Sequence, residues 1–132
     1  MNSGFKGFKS FFALLATMLY LFSAAPLQAS EAGGGAPEPQ VFTVNVGDGK
    51  YLQFGVVFET ATPEASHELA VYKPKIRHAI LLMLSGVDVE QLRSLKGKKA
   101  LASDIIDTAN HVIHSTEKNG VKDALFTSFI IQ

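Results

Sequence analysis

Six apolar residues in succession, Ala79 to Leu84, follow three cations and a proline in the stretch YKPKIRHAILLMLS, Tyr72 to Ser85. A helix lying on one core needs only a single apolar stripe, recurring every three or four residues. Ile76, Ala79 and Met83 supply that stripe, and Ile80, Leu81, Leu82 and Leu84 carry apolar surface around most of the circumference. Such a helix must be covered on more than one side. In a short chain this means a sheet on one side and a second helix on another, with any remainder left for contacts between subunits.

The same stripe reaches back through Tyr72, Leu69 and Ala65 to Thr62-Pro63-Glu64, a hydroxyl cap, a proline at the first helical position and an acid against the helix dipole. Pro74 interrupts it, removing an amide donor and crowding the preceding turn, so the helix is expected to kink or divide there and to end at Ser85-Gly86. Upstream, VFTVNV (residues 41–46) alternates with one buried face, Gly47-Asp48-Gly49 is turn chemistry, and KYLQFGVVFET places Leu52, Phe54, Val56 and Phe58 on one side of a second strand. Downstream, Asp88 can cap a compact helix start in VDVEQL. After the LKGKK interruption a helix is expected over residues 99–118, closed by Asn119-Gly120. VKDALFTSFIIQ reads as a final strand that returns to the hairpin. The expected architecture is a single β-β-α-α-β domain of the α+β class.

Residues 1–29 stand apart from this domain. Lys6 and Lys9 precede an uncharged apolar run, residues 11–25, and then Pro26 and the small-residue site Leu27-Gln28-Ala29. That order is the pattern of a secretory signal peptide cut between Ala29 and Ser30, and the same segment is just long enough to stay as a membrane anchor. Either outcome exports the remainder. Residues 30–40, SEAGGGAPEPQ, form a flexible linker, and residues 41–132 form the domain. The chain has no cysteine, so the core holds without disulfides and thiol chemistry is excluded. All 12 acidic residues lie beyond Ala29 while two of the 12 basic ones do not, and the resulting small negative charge gives no reason to expect a nucleic-acid partner.

Catalytic constellations are missing from the pattern. His111 and His114 stand three apart without a third ligand at a recognisable spacing; Ser66, Ser94 and Ser103 lack a nucleophile context; His67 and His78 read as solvated side chains. No glycine-rich phosphate motif occurs. The expectation is therefore no catalytic residue, no metal, no cofactor and no small-molecule substrate. The cations are less even: Lys73, Lys75, Arg77, Arg93, Lys96, Lys98 and Lys99 face only Asp88 and Glu90 across the same span. They read either as a solvated face around helix ends or as a surface for an acidic partner or anionic lipid headgroups.

Four of these stretches together resemble a known family. KYLQFGVVFET, the helix containing Tyr72-Lys-Pro-Lys-Ile-Arg-His-Ala-Ile-Leu, the step Leu95-Lys-Gly-Lys, and VKDALFTSFIIQ ending on Gln132 are similar to the periplasmic domain of the flagellar basal body-associated FliL family, over residues 42–132. The resemblance implies a stomatin/prohibitin-like domain that self-associates into rings. Such rings would surround stator units of the flagellar motor at the inner membrane and support rotation and motility under load. It carries no catalytic residues onto this chain. The chain departs from the family pattern in its short, cleavable-looking apolar run and in His78, where acids are frequent. Two further readings stand beside it: a periplasmic scaffold of the same fold using the Lys73–Lys99 cations on lipid, and a metal-dependent hydrolase using His111 and His114.

Overall fold

The structure is a computed structural model, and it describes residues 37–132. The expected signal or anchor, residues 1–29 with Ala29 and Ser30, and most of the linker lie outside the described residues. Two strands, β1 (Gln40–Asn45) and β2 (Tyr51–Thr60), are followed by helices α1 (Pro63–Val71), α2 (Lys73–Leu84), α3 (Val89–Leu92) and α4 (Leu95–Val112), and by strand β3 (Val121–Ile131). The sheet is antiparallel throughout, in the order β1-β2-β3, so the last strand pairs with the second as the pattern requires.

The hairpin turns through three left-handed residues, Gly47, Asp48 and Gly49, and the Asn45 side chain accepts from the Gly47 amide at 3.0 Å. Glycine at the outer two positions removes the Cβ cost of positive φ. Phe42, Leu52, Phe54 and Val56 from one sheet face are fully buried, together with Ile76, Ile80 and Leu84 of α2 and Leu101 and Ile105 of α4. Helix α2 packs on both β1 and α4, the two-sided cover its apolar run demands. Leu82, 62% exposed, is the part of that run left over.

The two helices of the expected order are four segments, and the division at Pro74 is one of the two outcomes expected there. Pro74 divides the first helix: Tyr72 leaves the helical region (φ −93°, ψ 10°) and α2 restarts with Pro74 in its first turn, where a missing amide costs nothing. Tyr72 is consequently exposed rather than part of the stripe. Asp88 caps the one-turn α3 through the Glu90 amide at 3.0 Å. The LKGKK segment is the opening of α4 and not an interruption before it. Ser94 caps that opening by accepting from the Gly97 amide at 3.0 Å, and Gly97 is required because a Cβ there would collide with the Gln91 carbonyl of α3.

At its other end α4 stops at Val112, short of the expected 118. His114 adopts a left-handed conformation (φ 55°), and the Ser115 amide reaches back to the Asn110 carbonyl at 2.9 Å, which is a Schellman ending built on histidine instead of glycine.

Strand β3 carries two irregularities. One lies opposite Gly55–Val56, where Thr127 is the extra residue, and one opposite Glu59–Thr60. The first turns both Phe126 and Phe129 toward the Phe54 ring, although they stand three apart.

Candidate interaction surface

The basic residues divide by what their side chains already do. Arg77 Nη1 donates to the Val41 carbonyl at 2.9 Å, and its guanidinium lies 4.7 Å from the centre of the Phe42 ring. Lys98 Nζ lies 5.2 Å from the centre of Phe129 and donates to the Arg93 carbonyl at 3.3 Å. Arg93 and Lys50 both pair with Glu90, at 3.5 and 3.3 Å. Lys73, Lys75, Lys96 and Lys99 are exposed and have no ion-pair partner among the described residues.

The engaged pair locates the rest. Phe42, Phe54 and Phe129 occupy one register position across the three strands and stack as a row, with centroids 5.2 and 6.0 Å apart. Arg77 closes the β1 end of this row and Lys98 the β3 end. Of the seven cations singled out in the sequence, Arg77 and Lys98 are thus engaged at opposite ends of this row. Lys73 and Lys75 open α2, which serves the β1 side, while Lys96 and Lys99 open α4, which serves the β3 side. Both helices begin with cations and no acid at the end where the dipole disfavours positive charge. Helix stability does not explain residues placed against the dipole.

The sheet face turned away from the helices was not singled out in the sequence. Val41, Tyr51, Leu125 and Ile130 are each between 41% and 53% exposed there, with half-buried Val57 among them. The register pairs Val57 with Leu125 across β2 and β3, while Ile130 stands opposite Gln53, Val41 opposite Gly55 and Tyr51 opposite Asn45. The signal was available, since Val41 and Tyr51 are the off-face residues of strands whose alternation was legible.

His111 and His114 do not form a shared helix face, because His114 lies past the end of α4 in the left-handed turn. His111 borders an open depression of about 670 Å³ with Asp107 and Glu117. No group of three or more His, Asp or Glu able to hold a metal occurs among the described residues. Asn110, also at that depression, spends both polar atoms on Val121, donating from Nδ2 to its carbonyl and accepting its amide at Oδ1, each at 2.8 Å. No described helix is long and apolar enough to cross a membrane.

Comparison with known proteins bears on the whole of this unit. Residues 38–132 match the family described as flagellar basal body-associated protein FliL. The flagellar protein FliL of Escherichia coli K12 is 32% identical over 93 residues, 69% of this chain and 60% of the relative. That of Aquifex aeolicus is 27% identical over 94 residues, 69% of this chain and 56% of the relative. The chain thus spans less than two thirds of the length of these relatives. The match covers all three strands and all four helices, and with it the chain belongs to the FliL family of flagellar basal body-associated proteins.

Proposed function

We propose that this protein is a non-enzymatic accessory of the flagellar motor that assembles with copies of itself into a ring around stator units, on the periplasmic side of the inner membrane, and supports rotation under load. Family membership over the entire described unit carries the reading. The stomatin/prohibitin-like arrangement expected of the family needs a surface for neighbouring subunits, and the apolar outer sheet face offers one: patches of this kind on an otherwise polar domain mark interaction sites. The role needs no catalytic centre, metal, cofactor or small-molecule substrate. Attachment to the membrane rests on residues 1–29, either kept as an anchor or cut after Ala29.

A second reading is favoured by Lys73, Lys75, Lys96 and Lys99: the same domain as a scaffold on anionic lipid without a motor role, each cation near the surface contributing about 1 kcal/mol. A periplasm-competent fluorescent fusion, imaged in cells with and without stator units, separates the two. Foci at flagellar bases that fade when stators are deleted support the motor accessory. A signal at the membrane that ignores stators supports the lipid scaffold and removes the first proposal.

A further inference from the structure

The turn from α4 into β3 contains the one Asn-Gly pair of the chain, Asn119-Gly120. Local structure demands both residues. Asn119 Oδ1 accepts from the Thr116 amide and from Thr116 Oγ1, each at 2.9 Å, so a side chain closes the turn. Gly120 is buried, and a Cβ on it would strike Asn110 Oδ1, the Ser115 side chain and the Thr116 carbonyl. An exposed asparagine is thus followed by the one residue without a side chain, and that juxtaposition has its own chemistry.

With no Cβ beside it, a glycine nitrogen is unhindered and can attack the preceding asparagine amide. The Gly120 nitrogen, once deprotonated, bonds to Asn119 Cγ, closing a succinimide ring and expelling the side-chain nitrogen as ammonia. Water then opens the ring at either carbonyl and leaves aspartate or isoaspartate; no oxidant or further reactant enters. The turn acts on this step in two opposite ways. Both Thr116 donors sit on Oδ1, where negative charge develops during the attack, and so favour it. Against it, the Gly120 amide donates its hydrogen to the Thr116 carbonyl at 2.6 Å, so the buried nitrogen is not free to attack. Gly120 is held from the other side as well. Its carbonyl accepts from the Ala61 amide at 2.8 Å, and Asn110 clasps the next residue, Val121.

We infer that Asn119-Gly120 is a site of spontaneous deamidation that the native fold keeps silent, its rate set by opening of the Gly120 amide. Removing an exchanging amide hydrogen and freeing the nitrogen for attack need the same opening, so hydrogen exchange at Gly120 and conversion of Asn119 are slowed together. The product matters to the fold. Aspartate at position 119 keeps the oxygen that Thr116 bonds. Isoaspartate puts an extra methylene into the main chain directly before Gly120 and Val121, whose backbone groups are fixed by Ala61 and Asn110. The start of β3 then loses its register. This reactivity is independent of the motor role proposed above.

The test compares the full chain in detergent with a synthetic peptide of residues 116–122, both held in mildly alkaline buffer. Peptide mapping by mass spectrometry follows conversion at Asn119, and enzymatic methylation identifies isoaspartate. Conversion in the folded chain should be slower than in the peptide by about tenfold or more, matching within about threefold the slowing of exchange at the Gly120 amide. Asn110→Leu, which loosens the clasp on Val121, should raise both rates together, and so should urea below the unfolding transition, without any substitution. Chains isolated in the isoaspartate form should lose protection at Val121, while Asn119→Asp keeps it. Equal conversion in folded chain and peptide, or fast exchange at Gly120 in the folded chain, overturns the inference because the bond to Thr116 then guards nothing. Faster conversion in the folded chain overturns it in favour of Thr116 as a promoter of the step. Protection at Val121 retained in the isoaspartate form overturns the link to β3, and a peptide that does not convert removes the site altogether.

Discussion

The guanidinium of Arg77 covers the Phe42 ring at 4.7 Å while Nη1 holds the Val41 carbonyl at 2.9 Å. That carbonyl belongs to the free side of β1, so one side chain both ends the aromatic row and occupies an edge acceptor that could otherwise pair with another chain. Arg77→Ala is expected to lower stability by about 1–2 kcal/mol, combining a charge-assisted bond with a partly exposed cation–π contact. Arg77→Lys should recover less than half, because a lysine cannot cover the ring and reach the carbonyl together. Urea unfolding decides it, and an alanine variant as stable as the parent would mean the contact is incidental.

Lys75 and Lys96 behave differently, since both lie in first helical turns without an acid or an ion-pair partner among the described residues. Replacing them with glutamate should stabilise the domain by about 0.3–1 kcal/mol each at low salt, through the helix dipole. If the cations serve an anionic partner or lipid, the same double variant should lose that association. Vesicle sedimentation with phosphatidylglycerol, read beside the melting temperature, checks both halves. A destabilised variant would show that these lysines hold the fold in a way their positions do not reveal.

Much of this fold was legible because period and punctuation agreed. Alternation in VFTVNV and KYLQFGVVFET, with two glycines between, left one outcome for the hairpin, and Thr62-Pro63 left one for the start of α1. The errors lie where tertiary contacts decide. Gly97 looked like a helix breaker, yet it lies inside α4 because the backbone of α3 occupies the space of its side chain. His114 ends α4 in a conformation usually given to glycine, so no residue type announced the stop. In FTSF the spacing of the two phenylalanines contradicts a regular strand, and it could have announced the irregularity at Thr127. The basic residues were visible as a group, but composition along the chain could not separate Arg77 and Lys98, which bind rings, from the lysines that do not.

Gly97→Ala reverses the usual order of helix propensity. In an exposed helix interior alanine gains about 1 kcal/mol over glycine. Here the added Cβ meets backbone, the Gln91 carbonyl and its neighbours, which cannot rotate away as a side chain can. A net loss of about 1–3 kcal/mol is expected as α3 and the start of α4 are forced apart. Thermal unfolding gives the sign directly, and a stabilised alanine variant would mean that the α3–α4 contact is soft.

Asn110 should prove the most sensitive polar residue of the domain. Its side chain is 5% exposed and clasps both backbone groups of Val121, itself fully buried, which fastens the end of α4 to the first residue of β3. Gly120 leaves room for it, since a Cβ there would strike Asn110 Oδ1. Asn110→Leu keeps the volume but leaves a buried amide and a buried carbonyl unmatched, and a loss of about 2–4 kcal/mol follows. Asn110→Asp restores the acceptor for the Val121 amide but sets a carboxylate against the Val121 carbonyl, and it should be no better near neutral pH. Hydrogen exchange at Val121, measured with the urea midpoint, distinguishes the clasp from general packing: in both variants that amide should lose protection before those of β2. If β2 and β3 instead lose protection together, the clasp is one part of a single cooperative core, and the start of β3 has no separate fastening.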